Sequence, residues 1–339
     1  MPETLTLPNA PKIPLRRYLK QTKDDALVAP ATVDAPSTVV VDHPDSVVMP
    51  ATNDFEKWLN AKPQSVTTIN IPAGFSDQTP IKLTGPVDGG GLVHITIGEN
   101  ANVVFQERWT STGSMLGIAV AIDIAAGATV NWLAYDAFKA DTVLLQRTVN
   151  MAANTTLNLT VAGFSQNSGA SLLTTNLNGD GAEATINVGV LAAGKQHLGY
   201  ATAVTNFGRK TVGHINQRGV ITDKAHLVFN GIGHIVEGAR GSDAQQENRV
   251  LMLSEHARGD ANPILLIDEN DVTAGHAASA SRVDQRQLYY LMSRGVSAVV
   301  AKRMVIRGFL EAGLGEIRDA DLKQELFDAI DETLVNADA

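Results

Sequence analysis

The chain contains no cysteine in 339 residues. That absence excludes disulfides, cysteine nucleophiles, thiolate zinc sites and iron–sulfur ligation by a thiolate of its own. Aromatic residues are scarce, at 5%, while Gly, Ala, Thr, Asn and Val abound, a balance that suits short strands and tight turns better than a helical bundle. No long Lys/Arg run occurs and the net charge is −9, which argues against a nucleic-acid binder. The opening Met1-Pro2-Glu3-Thr4 lacks the basic and apolar regions of a signal peptide. The most apolar stretch, Gly117 to Ala126, is short and carries Asp123, so no membrane span is expected. The chain reads as soluble and cytoplasmic. What it has in quantity is apolar residues, 44% of the total, enough for one large or two smaller domains.

Three regions are expected. Residues 1–65 read as an N-terminal arm or small subdomain, with short helices over 15–20 and 53–59 and an extended stretch over 28–48. Residues 66–276 read as strand after strand with a repeat beneath. The segments beginning at Glu99, Ala126, Ala153, Ala182 and Asp223 each set small or turn-forming residues before an apolar one. Their first apolar residues, Val103, Val130, Leu157, Ile186 and Leu227, are 27, 27, 29 and 41 apart, the last gap implying an insertion or a skipped turn. An antiparallel sandwich gives evenly spaced strands, whereas a solenoid or β-helix also gives a motif of coil length, and the repeat favours the solenoid. Residues 277–339 read as a helical domain. Leu288, Leu291 and Met292 share a face ending at Gly295; Ser297 caps a helix with Val300, Met304 and Val305 inward and Gly308 near its end. Leu322, Leu326, Ile330 and Leu334 then follow at i+4 spacing beside Phe327. These helices serve either as a cap over the open end or as a docking surface.

The junction between strands and helices holds the most suggestive chemistry. Pro263 to Ile267 is continuously apolar, as in a strand buried on both faces. Asp268, Glu269 and Asp271 follow, then His276 among small residues. Clustered carboxylates make a β-helical carbohydrate-active enzyme the alternative reading, although an acidic turn between strand and helix needs no catalytic role. Gly189 to Lys195 has the spacing of a phosphate-binding loop, but Gln196 stands where Ser or Thr binds magnesium, and no helix pattern follows. The eight histidines show no zinc-helix spacing; His234 with Glu237 is one weak metal pairing, and hydrogen-bonded histidines on strand faces are the simpler reading. Gly238 to Arg249 is polar and reads as a long turn at a solenoid corner.

Gly238 to Ser254, Pro263 to Ile267 with its acidic turn, Asp271 to Ala278 and Leu288 to Gly295 together resemble the SufB/SufD family of iron–sulfur cluster assembly proteins, in the family's order. The histidine at 276 and the lack of cysteine place the chain nearer SufD. The resemblance implies a right-handed parallel β-helix with a short N-terminal arm and a C-terminal α-helical domain. It implies a non-enzymatic scaffold subunit of the SUF complex that pairs with a SufB-like subunit and receives a SufC-like ATPase on its C-terminal helices. By the same resemblance, the chain alone binds no cofactor. A transient iron–sulfur cluster forms at the SufB interface, where the partner supplies the thiolate and His276 is the one metal ligand from this chain. A homodimer is the assembly expected without the partner.

Overall fold

The computed structural model describes residues 29–44, 66–314 and 320–337; the helices expected over 15–20 and 53–59 lie outside them. The strands fall into two sheets of nine. Sheet 1 is, in spatial order, β1 (Thr32–Asp34), β4 (Ser76–Thr84), β6 (Asn102–Trp109), β8 (Thr129–Asp136), β10 (Thr156–Gly163), β12 (Glu183–Ala192), β14 (Val212–Ile221), β16 (Asp243–Met252) and β18 (Thr273–Arg282). Sheet 2 is β17 (Arg258–Ile267), β15 (His226–Ile235), β13 (His197–Asn206), β11 (Ser168–Leu177), β9 (Lys139–Met151), β7 (Thr112–Ile124), β5 (Gly91–Ile97), β3 (Val66–Ile71) and β2 (Val40–Asp42). From β3 onward the chain alternates between the sheets and every pairing is parallel, whereas β1 and β2 run antiparallel against the first coil. This is a parallel β-helix, as the repeat predicts.

The coil length is set by register. Val103, Val130, Leu157 and Ala184 pair in succession, so three coils are 27 residues long; Gly213, Ala244 and Ala274 follow at 29, 31 and 30. The gap of 41 is therefore no insertion: Leu227 lies on β15 in sheet 2, while the other four markers lie in sheet 1. The sequence motif itself is a corner. Gly74, Asn100, Gly127, Asn154, Gly181, Lys210 and Gly241 all have φ between 54° and 73°. Each donates its backbone N–H to a carbonyl one coil on, as in Gly127 to Ala153 and Asn154 to Asp180. Gly and Asn alternate because an Asn side chain fills the space above the next corner. A Cβ on Gly127 would lie 2.2 Å from Asn100 Oδ1, and one on Gly181 2.8 Å from Asn154 Oδ1.

Inward positions stack in columns along the coil axis. One runs Phe105, Trp132, Leu159, Ile186 and Ile215, all buried, and the Phe105 and Trp132 rings are 4.5 Å apart. The neighbouring column opens on a charge. Glu107 accepts from Arg147 at 2.9 Å and Arg147 donates to Asp136 at 2.6 Å, with all three side chains at most 2% exposed. Trp109 and Trp132 also donate their indole N–H groups to Glu107. Burial pushes the Asp136 carboxyl up, with Arg147 pulling the other way. On the outer faces, paired side chains bridge coils: His94 to Asp123 at 2.8 Å and His214 to Asp243 at 3.0 Å, with asparagine ladders such as Asn150 to Asn176.

After β18 come α1 (Gln285–Ser293), α2 (Ala298–Leu314) and α3 (Ala320–Ala337). Asp284 caps α1 by accepting from the Arg286 N–H. The helix ends with Gly295 at φ +88°, where the N–H groups of Gly295 and Val296 reach the carbonyls of Met292 and Leu291. Helix α2 buries Ala301, Ile306, Leu310 and Leu314 and not the expected face: Val300 and Met304 are exposed, and Gly308 is inside the helix. Its buried stripe packs with Leu326 and Ile330 of α3 on Tyr135, Ala162, Leu191, Val220 and Leu251, outward residues of five consecutive strands of sheet 1. Arg108 of β6 holds Glu325 of α3 bidentately, at 2.5 and 2.7 Å. Helices α2 and α3 thus lie along the flank of the solenoid.

Removing Arg147 strands two buried carboxylates. Arg147→Met is expected to cost about 3–5 kcal/mol in a denaturation curve, and adding Glu107→Gln and Asp136→Asn to recover part of that loss; a single-mutant loss below about 1 kcal/mol would refute a charged triad. A second expectation concerns acid. The His94 hydrogen bond holds Asp123 below the usual carboxylate pKa, against the cost of burial and with help from Asn150. A depressed folded-state pKa stabilises above 3.8, the unfolded value, and that stability fades as the pH falls through the lower, folded value. Asp123→Asn should therefore lose less than about 1 kcal/mol at pH 6, as suits a half-exposed pair, and the difference from the parent should shrink as the pH falls below 3.8 and vanish once it is below the folded value. A gap persisting in acid would show that the pair's geometry, and not its charge, is what matters.

Candidate functional site

The described solenoid has unlike ends. Antiparallel β1 and β2 close the first coil, whereas among the described residues no strand pairs with the outer edge of β17 or β18. The apolar run at 263–267 is expected to be buried on both faces, but β17 is that edge strand. Ile264, Leu266 and Ile267 are 39%, 47% and 39% exposed, because nothing described stacks on them. A bare parallel edge of this kind is a template for another chain.

His276 lies four residues into β18, which runs on to Arg282, so the expected junction at 276/277 falls inside the last strand. Register pairs His276 with Gln246 and places it at the top of the inward column of Phe105, Trp132, Leu159, Ile186 and Ile215. It is exposed only because no further coil covers it. Ala274, Ala278 and Ala280 share its inward parity, with Arg282 at the strand's end, so the imidazole stands among small side chains. Among the described residues no three His, Asp or Glu side chains come together as a metal site. A metal at His276 therefore needs ligands from elsewhere.

The neighbouring acidic turn is occupied with holding its own shape. Glu269 accepts from the backbone N–H groups of Asn270, Gly238 and Asp271, which keep its carboxyl below the usual range. Asp268 pairs with His234 at 2.9 Å, and the Asp271 carbonyl receives the corner bond from Gly241. Glu269 and Asp268 are thus each already engaged by neighbouring groups. His234 meets Asp268 and not Glu237, and His94, His214 and His226 likewise face aspartates one coil away, as hydrogen-bonded strand-face histidines should. The phosphate-loop look-alike is strand β12 followed by a turn at Gly194, φ +62°. Gly189 within it is where α2 presses closest, since a Cβ there would lie 2.5 Å from Leu314 Cδ2. Gly238 to Arg249 is not one long turn: from Asp243 it is β16.

A second exposed surface lies on the helices. Tyr289 and Tyr290 of α1 are 74% and 58% exposed, alongside Met292, and Val299, Val300 and Met304 of α2 are also open. Helical periodicity points to Leu288, Leu291 and Met292, of which the two leucines are half-buried and Met292 is exposed, and passes over the tyrosines. Their signal was composition: two of only five tyrosines stand side by side.

Residues 91–309, well over half of the chain, match the family model for the SUF system FeS cluster assembly SufBD core domain. The chain is 52% identical over 158 residues to the iron–sulfur cluster assembly protein SufD of Bacillus subtilis strain 168, a match covering 47% of this chain and 36% of that protein. It is 34% identical over 115 residues to SufD of Escherichia coli strain K12, covering 34% and 27%. It is 38% identical over 111 residues to a SufBD family protein of Mycobacterium bovis, covering 32% and 28%. The matched segments thus span about a third or less of these curated relatives. A parallel β-helix that lacks cysteine, carries His276 on its open terminal coil and matches the core-domain model over both sheets belongs to the SufB/SufD family of the iron–sulfur cluster assembly system, and is most like SufD.

Proposed function

We propose that this chain is a non-enzymatic, SufD-like scaffold subunit of a cytoplasmic SUF complex. The observation that carries the reading is the open terminal coil. Strands β17 and β18 offer parallel edges with apolar residues exposed on one and His276 inward on the other. A SufB-like subunit continuing both sheets would bury Ile264, Leu266 and Ile267 and bring its thiolate beside His276. A transient iron–sulfur cluster assembled there takes at most the imidazole from this chain, which has no cysteine. The cluster is cargo at an interface and not a resident cofactor of this subunit.

The SufC-like ATPase docks on the face formed by Tyr289, Tyr290, Met292, Val299, Val300 and Met304. Clustered exposed aromatics and aliphatics of this kind mark interaction sites. The flank position of α2 and α3 supports this reading, because it leaves the solenoid end clear for one partner and the helix face for another. A homodimer through the same bare edges is the assembly expected when no SufB-like chain is present. No described helix is long and apolar enough to cross a membrane, and the acidic net charge fits partners other than nucleic acid.

Coexpression with a SufB-like and a SufC-like chain tests this directly. One complex containing all three, with bound iron and sulfide, is expected by mass measurement; failure to co-elute sinks the assignment. The His276→Ala chain should fold as well as the parent, within about 0.5 kcal/mol, because the residue is exposed. Its complex should assemble clusters more slowly, and undiminished assembly would remove His276 from the site.

A further inference from the structure

Along a strand, the backbone N–H and C=O groups of successive residues turn alternately to the two sides. Register and coil-to-coil bonds fix which way they turn on the two terminal strands. On β17, Arg258 donates its N–H to the Ala225 carbonyl and Asp268 to that of Ile235, so even-numbered residues face β15. Gly259, Ala261, Pro263, Leu265 and Ile267 therefore face the outer edge. On β18, Thr273 donates to the Ser242 carbonyl, so odd-numbered residues face β16 and Ala274, His276, Ala278, Ala280 and Arg282 face the outer edge. Among the described residues no strand pairs with either edge.

The two edges are unequal. Strand β18 offers five donors in succession, with His276 among them. The β17 edge is broken at its centre by Pro263, which has no N–H and whose ring stands in the way of a neighbour's carbonyl. Pro263 is the only proline after Pro86. The other proline in a described strand, Pro80 of β4, sits where the ladder to β6 shifts register, as strand prolines commonly do. At 262 or 264 a proline would remove a bond to β15. At 263 it removes none within this chain, and its whole effect falls on a strand that would pair from outside. The break also lies on the more hazardous edge: Ile264, Leu266 and Ile267 of β17 are exposed, and an aliphatic edge strand invites edge-to-edge association. Strand β18 carries mostly alanine and serine and has no such break.

We propose that Pro263 selects the edge on which a partner builds its backbone ladder. A SufB-like subunit continues sheet 1 from β18 without interruption, around His276. It meets sheet 2 through side chains, with backbone bonds on no more than one side of Pro263. The same gap bars a continuous ladder between the β17 edges of two copies of this chain. The partner's identity rests on the assembly reading above; the gap rests on register alone.

Residue-resolved hydrogen exchange on the full chain, free and in complex with a SufB-like subunit, tests this. The amides of Ala274, His276, Ala278 and Ala280 should slow by at least about tenfold on binding, and those of Ala261 and Leu265 should not both slow. Protection on both sides of Pro263 would overturn the proposal while leaving the assembly reading intact. Moving the gap is the converse measurement. Ala278→Pro removes an N–H that faces no strand of this chain and should weaken partner binding by about tenfold or more; unweakened binding would also overturn the proposal. If Ala278→Pro does not fold, the exchange pattern of the parent complex decides. If the parent binds no SufB-like subunit, the assembly reading fails instead, and the free chain decides on Pro263. The Pro263→Val chain is then expected to self-associate about tenfold more tightly in sedimentation velocity, and unchanged association would refute the gap.

Discussion

Each coil of this molecule is fastened to the next at a left-handed corner, where one backbone N–H reaches a carbonyl in the following coil. The constraint is severe because φ near +60° disfavours most L-residues. It is met by glycine or asparagine at six of the seven corners of this column, and by Lys210 at the seventh. The coil length follows from it. Once a corner is fixed, eight or ten residues of strand, a turn and a second strand must return the chain to the same place about 4.8 Å higher. Inward side chains then fall into register without further instruction, which is how Phe105 comes to lie against Trp132 and Glu107 within reach of Arg147.

That register makes the lumen a record of where polarity is tolerated. Aliphatic columns fill the middle coils. One charged group of three is buried near the first coils, where Arg147 answers two carboxylates and two indoles leave little of Glu107 unbonded. Thr175 is a buried polar exception in a middle coil, and amides with capacity to spare appear in the last coils. The first group is self-contained and the second is not, and the second lies under the end that stays open. A column that ends in Gln246 and His276 would be out of place in mid-solenoid, but is reasonable where the next layer belongs to another molecule.

Much of this was legible in the sequence because period and corner chemistry are local. The 27-residue repeat announced the solenoid, and Gly295 and Ser297 marked helix ends that the structure keeps. Two kinds of feature were not legible. Sheet membership is invisible to a motif shared by both sheets, so the 41-residue gap before Leu227 reads as an insertion or a skipped turn when Leu227 belongs to sheet 2. Burial that depends on neighbours outside the element is equally hidden. The run from Pro263 to Ile267 has the composition of a core strand whether or not a further coil covers it, and periodicity alone set Val300 and Met304 inward when the flank of sheet 1 takes Ile306, Leu310 and Leu314 instead. The role of His276 came from family resemblance; the structure adds its place in the column.

The two mismatches have one cause. A strand with core composition at an exposed edge, and a helix whose second apolar face is left open, both offer more apolar surface than the described residues cover. Solenoids that end alone place polar residues on the terminal coil, and here β18 is small and polar but β17 remains aliphatic. The first coil is closed by antiparallel β1 and β2, so closure lies within this chain's repertoire, and among the described residues it is seen at that end alone. Helices α2 and α3 follow the open coil after the short α1, yet they turn back along sheet 1, held by Arg108 to Glu325 and by Leu314 over Gly189. An end left bare among the described residues, beside an inward histidine, is what the proposed pairing with a SufB-like subunit would cover.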